Sequence, residues 1–196
     1  MQAHRIVRHL QGQYFVYCAQ AWQRAAAMIA WRIPITSPPV TAENFDPRWM
    51  EGKRLLIFKL HGYPDDPNWY GLDQAGQKPI ALTPDLIWGA NLRGAIVVAI
   101  VCYGASSEMQ NAFFAAGARA FIGSTDEVRA RETRPGEADV FIGQLLRLLA
   151  NEPQDLAGSF AGARELYRKT VKDWTEHDQY TLETFMLITP KGGTYA

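Results

Sequence analysis

Residues 95–102 read Ala-Ile-Val-Val-Ala-Ile-Val-Cys and form the most β-branched run of the chain. β-Branched side chains favour strands, and an unbroken apolar run is typical of a strand buried on both faces of a parallel sheet. We therefore expect a central strand that ends at Cys102. The run Leu55 to Leu60 has the same apolar character and is followed directly by His61-Gly62. Two buried strands are thus predicted, each ending in a residue with reactive chemistry.

The segments on either side of these runs alternate between strand and helix patterns. Further strands are predicted at Gln13–Tyr17, Ile33–Ile35, Ala118–Ile122 and Phe185–Ile188, with a small hairpin outside the main sheet between Trp69 and Leu82. Helices are predicted at Ala19–Arg32, from a Thr41 cap toward Met50, after Thr83-Pro84-Asp85, from Ser106 or Ser107 to a stop at Gly117, through Val140–Leu149, and at Asp155–Lys172. Because a parallel pairing needs a crossover connection, this alternation predicts an α/β domain with a mostly parallel sheet and helices on both faces. We expect one domain over residues 1–196.

Bulk composition excludes several classes of partner. The chain has 20 basic and 20 acidic residues, so its formal net charge is zero. A protein without a broad positive field is not expected to bind nucleic acid or an anionic membrane surface. The first thirty residues contain no apolar run long enough for a membrane helix or a signal sequence, so we expect a cytoplasmic protein.

Neither the cysteines nor the histidines have the spacing of a metal site. Cys18 and Cys102 are too few for a disulfide framework and are wrongly spaced for a zinc ribbon. The four histidines include no HExxH pair. We therefore predict no metal and no cofactor.

The two strand ends carry the strongest chemical signal. Ligands bind at the carboxyl ends of strands in open α/β sheets, so His61 and Cys102 are expected at the same edge. An imidazole beside a thiol can accept its proton and create a nucleophilic thiolate. The backbone N–H groups of Gly62 and Cys102 are candidates for an oxyanion hole. A lone cysteine at the end of an apolar strand is more often a small hydrophobic residue, and we interpret Cys18 in that way.

These motifs resemble the caspase-like superfamily of cysteine peptidases, and within it the CHAT domains, with gingipains and separases as relatives. The family shares a strand ending in His-Gly and a later strand ending in Cys. In caspases the signature is Q-A-C-[RQG]-G, with the histidine about 50 residues upstream. Here Ile100-Val101 stand where caspases have Gln-Ala, so a preference for aspartate is not implied. Leu82–Leu86 and Phe113–Gly123 also look like a CHAT domain, and the resemblance implies a caspase-like three-layer sandwich.

What the resemblance implies is a regulated cysteine endopeptidase with a His61–Cys102 dyad, acting in signalling, cell death or defence on a protein or peptide substrate. Ser124, Asp126 and Glu127 follow a strand and are candidates for lining the substrate cleft, where the carboxylates would select a basic residue. Control would come from a regulatory protein partner, from self-association or from processing, and the arginine-rich loop from Arg129 to Arg134 is a candidate lid or processing site. The main alternative is a non-catalytic caspase-like scaffold that binds a partner protein. A flavodoxin-like or nucleotide-binding domain is a weaker alternative, because no phosphate-binding glycine motif follows a strand.

Overall fold

A seven-stranded sheet forms the centre of the computed structural model, which describes residues 13–30, 33–105, 107–129, 135–151, 155–190 and 194–195. Its strands are β1 (Tyr14–Ala19), β2 (Ile35–Ser37), β3 (Leu55–Lys59), β7 (Ile96–Ile100), β8 (Ala120–Ser124), β9 (Phe185–Ile188) and β10 (Thr194–Tyr195). They lie in the order β10-β9-β8-β7-β3-β1-β2. The pairs from β2 to β8 are parallel, whereas β9 is antiparallel to β8 and β10 is antiparallel to β9. The predicted mostly parallel sheet is therefore confirmed.

Six α-helices connect or flank these strands in the described residues. They are α1 (Gln23–Ala30), α2 (Pro84–Trp88), α3 (Ser107–Ala115), α4 (Glu137–Asn151), α5 (Leu156–Thr170) and α6 (Glu176–Thr184), with short 3-10 helices at Gln20–Trp22 and Pro47–Met50. The Thr83 hydroxyl accepts a hydrogen bond from the Leu86 amide, which confirms the predicted cap of α2. Gly117 has φ +99°, a left-handed conformation that glycine adopts without strain and that stops the chain after α3.

Helices cover both faces of the sheet because each central strand is apolar on both sides. Val16, Cys18 and Ile57 point into a core shared with α1, α4, α5 and α6. Phe15 and Phe58 point to the other face, where they join side chains of α2 and α3. Alternate residues of one strand thus feed two separate cores, which confirms the prediction of helices on both faces.

A second, three-stranded antiparallel sheet lies outside the main one, at the point where β3 ends. Its strands are β4 (His61–Tyr63), β5 (Asp66–Tyr70) and β6 (Ile80–Leu82), in that order. The Trp69 ring packs against Phe58 at 5.3 Å and against Phe113 at 5.8 Å between centroids, which fastens this sheet to the second core. The predicted excursion between Trp69 and Leu82 is confirmed, but it is larger than expected because it begins at His61.

Other predicted boundaries differ from the structure. The expected helix from Thr41 toward Met50 is a turn over residues 42–44, followed by the 3-10 helix Pro47–Met50, whose cap is Asp46. Prolines and short polar residues in this stretch favour turns over a continuous helix. Strands β1, β2 and β8 begin one or two residues later than predicted. Most of the predicted lid, residues 130–134, lies outside the described residues.

Candidate functional site

The candidate site lies at the carboxyl edge of β3 and β7, beside the place where the strand order reverses. The strand that follows β1 in the chain, β2, lies on one side of it, whereas β3, β7 and β8 follow one another on the other side. The reversal therefore lies between β1 and β3. Open α/β sheets form their binding crevice at such a switch point. In the register of the sheet Lys59 pairs with Cys18 on one side and with Ile100 on the other. His61 and Cys102 each lie two residues beyond the Lys59–Ile100 pair, so the topology brings the two ends together.

His61 and Cys102 line the same pocket, whose volume is about 190 Å³. The other lining residues come from four segments: Trp22 follows β1, Leu60 follows β3, Ile100 ends β7, and Val128 lies in the loop after β8. Four of the six lining side chains are therefore apolar. The pocket gives an imidazole and a thiol a shared, largely water-poor environment.

The thiol of Cys102 is half-buried and bonded to the loop after β8. Its Sγ accepts a hydrogen bond from the Val128 amide at 3.2 Å and lies 3.5 Å from the Val128 carbonyl oxygen, to which the S–H donates. Burial raises the pKa of Cys102, and the carboxylates of Glu127 and Asp126 raise it further, while the Val128 amide opposes them. At neutral pH the residue is therefore a neutral thiol.

The imidazole of His61 packs against the indole ring of Trp22 in a tilted arrangement. Its ring centroid lies 4.3 Å from that of Trp22, at an angle of 48° between the planes. Burial lowers the pKa of His61 to about 4, and the ammonium of Lys78 lowers it as well. Nε2 is buried and has no hydrogen-bond partner among the described residues. His61 is thus a neutral imidazole with one nitrogen available to a proton donor in the pocket.

Gly62 brings the backbones of the two strand ends into contact. A Cβ at this position would overlap the carbonyl oxygen of Cys102 and lie 2.8 Å from Cγ1 of Val101. Only glycine allows β4 to pass so close to the turn that carries Cys102. The N–H groups of Gly62 and Cys102, predicted as an oxyanion hole, therefore belong to backbone segments that touch.

Ser124, Asp126 and Glu127 are placed beside the site, but none of them lines the pocket. Ser124 is fully buried, and its hydroxyl accepts a hydrogen bond from the Asp126 amide. The Asp126 carboxylate accepts from the Glu127 amide at 2.8 Å and from the hydroxyls of Tyr180 and Tyr103. These bonds shape the loop that presents Val128, and the preference for basic substrates stays a prediction.

The turn that carries Cys102 is tied to the same loop by backbone hydrogen bonds. The Tyr103 amide donates to the Asp126 carbonyl at 2.9 Å, and the Ala105 amide donates to the Ser124 carbonyl at 2.9 Å. Tyr103 has φ +52°, a left-handed conformation that is uncommon for a residue other than glycine. The neighbouring amides thus hold the turn in a conformation that its own sequence does not favour.

A buried ion pair lies next to the pocket. Nζ of Lys59 is 2.6 Å from Oδ1 of Asp139 on α4, and both side chains are 1% exposed. The same ammonium lies 5.5 Å from the centre of the Trp22 ring, which in turn packs against His61. Lys59 is not among the predicted site residues, although a lone lysine between Phe58 and Leu60 is a signal for a buried charge with a partner.

The remaining chemical classes give no signal in the described part of the chain. There is no group of three or more His, Cys, Asp or Glu residues there that is arranged to hold a metal ion. None of the described helices is long and apolar enough to cross a bilayer.

No family model and no curated protein matches the chain. The resemblance to the caspase-like superfamily therefore rests on the motifs of the chain itself.

Proposed function

We propose that the protein is a cysteine endopeptidase of the caspase-like superfamily, closest to the CHAT domains. The observation that carries the proposal is that the Cys102 thiol and the His61 imidazole line one pocket, and that Nε2 of His61 has no hydrogen-bond partner among the described residues. A neutral thiol beside a neutral imidazole is a pair from which a nucleophile forms by one proton transfer. Nucleophile and base come from neighbouring strand ends, where α/β enzymes place their catalytic groups.

The proposed reaction is peptide hydrolysis through an acyl-enzyme. His61 Nε2 takes the proton of Cys102, and the thiolate sulfur attacks the carbonyl carbon of the scissile bond. The Gly62 and Cys102 amides stabilise the oxyanion. The C–N bond then breaks as His61 returns the proton to the leaving amine, which leaves a thioester on Cys102. Water, deprotonated by His61, hydrolyses the thioester and restores the thiol. No step needs a cofactor.

The wider setting follows from the resemblance and is part of the proposal. A domain of this kind would act in the cytoplasm on protein or peptide substrates, under the control of a regulatory partner or of self-association. Regulation agrees with the contacts of the resting site, because the Val128 backbone already bonds the sulfur that must attack.

The same contact favours a second candidate function, a non-catalytic scaffold that binds a partner protein. A thiol with a raised pKa that is hydrogen-bonded by the chain's own loop is poorly prepared for attack. In this alternative the pocket receives a side chain of the partner and no bond is broken.

The deciding experiment is digestion of a mixed peptide library by the purified chain, with new peptide ends identified by mass spectrometry. We expect Cys102→Ala and His61→Gln each to lower cleavage by about 10⁴-fold or more, as loss of a nucleophile or its base does in other covalent proteases. Cys18→Ala is the matched control and is expected to keep wild-type cleavage. Equal cleavage by Cys102→Ala and the wild type would reject the dyad, and no cleavage by any form would favour the scaffold.

A further inference from the structure

The walls of the site pocket are uncharged. Trp22, Leu60, Ile100 and Val128 form them, and His61 and Cys102 complete the lining. None of the described residues that line the pocket carries a carboxylate, ammonium or guanidinium group. A side chain that enters the pocket therefore meets an indole ring and aliphatic carbon, with the neutral imidazole and the thiol beside them.

Three of the charged groups near the pocket are engaged elsewhere. The Lys59 ammonium is paired with Asp139 and sealed from solvent. The Asp126 carboxylate is bonded by a backbone amide and two tyrosine hydroxyls. The Arg129 guanidinium donates to Nε2 of His177 at 2.5 Å. A charged side chain in the pocket would lose part of its hydration and find no ionic partner among the described lining residues, which is unfavourable.

The size of the pocket fits one side chain. Its volume of about 190 Å³ is below the roughly 300–1,000 Å³ of pockets that hold whole small molecules. It is continuous with the Cys102 sulfur, since Cys102 is itself a lining residue. A residue whose carbonyl is attacked by this sulfur has its own side chain within reach of the pocket.

We infer that the pocket is a specificity pocket for an uncharged aliphatic side chain, of the size of valine, leucine or methionine, on the residue whose carbonyl is attacked. This inference rests on the proposed peptidase function and names its substrate class. It differs from the preference for a basic residue that Asp126 and Glu127 suggest in the sequence, because neither carboxylate lines the pocket.

The test is a series of tetrapeptide amides that carry a fluorogenic amine and differ only in the residue before it: Leu, Ala, Lys or Asp. A hydrophobic pocket discriminates by about 10- to 200-fold for each methylene or methyl group that it binds. We expect kcat/KM for the Leu peptide to exceed that for Ala by at least about 10-fold, and that for Lys or Asp by about 100-fold or more. Equal rates across the series, or a preference for Lys or Asp, would overturn the inference.

A variant of the wall strengthens the test. Val128 contacts Cys102 through its backbone, so Val128→Asp keeps the amide that bonds Sγ and adds a carboxylate to the pocket. We expect the preference to shift from the Leu toward the Lys peptide. Val140→Asp, the same substitution at an exposed position of α4 outside the pocket lining, is the control and is expected to keep the wild-type preference. Should Val128→Asp fail to fold, the wild-type series decides alone.

The outcomes separate this inference from the proposed function. Cleavage of the series with the wrong preference overturns the pocket inference and leaves the peptidase proposal in place. If neither the series nor the peptide library is cleaved, while the chain is folded by circular dichroism, the peptidase proposal fails and the inference fails with it.

Discussion

The two cysteines of this chain occupy similar places in the sheet and have different surroundings. Cys18 is the fifth residue of β1 and lies in register with Lys59, fully buried in the core below α1 and α4. Cys102 lies two residues beyond the end of β7, half-buried in the pocket. Burial raises the pKa of Cys18 to about 12, whereas the sulfur of Cys102 has an amide donor and an imidazole in its pocket. A shift of a few residues along a strand therefore separates a packing side chain from one that a ligand can reach.

The largest expected difference between the cysteines is in alkylation by iodoacetamide. Cys102 is expected to react in the folded protein, and Cys18 only when the chain unfolds. With a stability of about 5–15 kcal/mol, unfolding-limited labelling is slower by about 10³-fold or more. Intact-mass measurements on the wild type and on Cys18→Ala assign the fast site. Similar alkylation rates at Cys18 and Cys102 would contradict the expected difference in accessibility between the two thiols.

Substitution of Lys59 is expected to have the largest effect on stability. Lys59→Met leaves Asp139 buried without its cation, which costs about 3–5 kcal/mol in comparable proteins. Lys59→Met with Asp139→Leu is expected to recover a large part of this loss, because both buried charges are then gone. The free energy of unfolding in urea gives these values.

Lys169→Met provides a matched control for the buried pair. In the Lys169–Glu165 pair Nζ and Oε2 are 3.0 Å apart, and the side chains are 73% and 63% exposed, so its loss should leave the free energy of unfolding nearly unchanged. A loss for Lys59→Met as small as that of the control would mean that the buried pair contributes nothing.

An intermediate effect on stability is expected when a side chain is added at Gly62, where the backbone touches the Cys102 carbonyl oxygen. Gly62→Ala places a methyl group against the Cys102 carbonyl oxygen, and overpacking of this kind costs about 1–3 kcal/mol. We also expect a changed alkylation rate for Cys102 and an unchanged rate for Cys18. Gly89→Ala is the control, because no atom of the described residues lies within 4 Å of a Cβ added there, and it should change stability by less than about 1 kcal/mol. A neutral Gly62→Ala would show that the two strand ends can move apart.

The smallest expected effect is the pH dependence that His61 contributes. Its pKa is about 4 in the folded chain and has the ordinary value of 6.5 in the unfolded chain, so the unfolded chain binds more protons between these values. The stability from this group is complete above pH 6.5 and is lost as the pH falls toward 4. After a discount for solvent screening we expect about 1–2 kcal/mol. The difference between the wild type and His61→Gln, measured by urea unfolding at pH 4.5 and 7.5, isolates it. A difference independent of pH would contradict the buried, neutral imidazole.

Local patterns in the sequence predict most of the fold. The apolar runs before His61 and Cys102 become β3 and β7, and Thr83 caps α2, because burial and capping depend on residues close in sequence. Asp46 and Thr41 show the limit, since several short polar residues in one stretch can each end or begin a turn. Which of these residues begins or ends a turn depends on packing that the local sequence does not specify.

The site is only half predictable for the same reason. The strand ends identify His61 and Cys102, and the chain direction in a parallel sheet places them at one edge. Trp22 and Val128 reach the pocket from a 3-10 helix and a loop, whose paths have no periodic signal. To predict Val128 as the partner of Cys102, one would need to know in advance that residues 26 positions apart in the sequence are in contact.

The Lys59–Asp139 pair also bears on the order of folding. It joins β3 to α4, and the two residues are 80 positions apart in the sequence. The Asp139 carboxylate also accepts a hydrogen bond from the Gly136 amide. Closing so long a loop is entropically costly, so the ionic contact is expected to form late, after β7 and β8 have joined the sheet. Its energy would then appear in the unfolding rate rather than in the folding rate. A buried ion pair beside the pocket would thus govern how long the assembled site lasts.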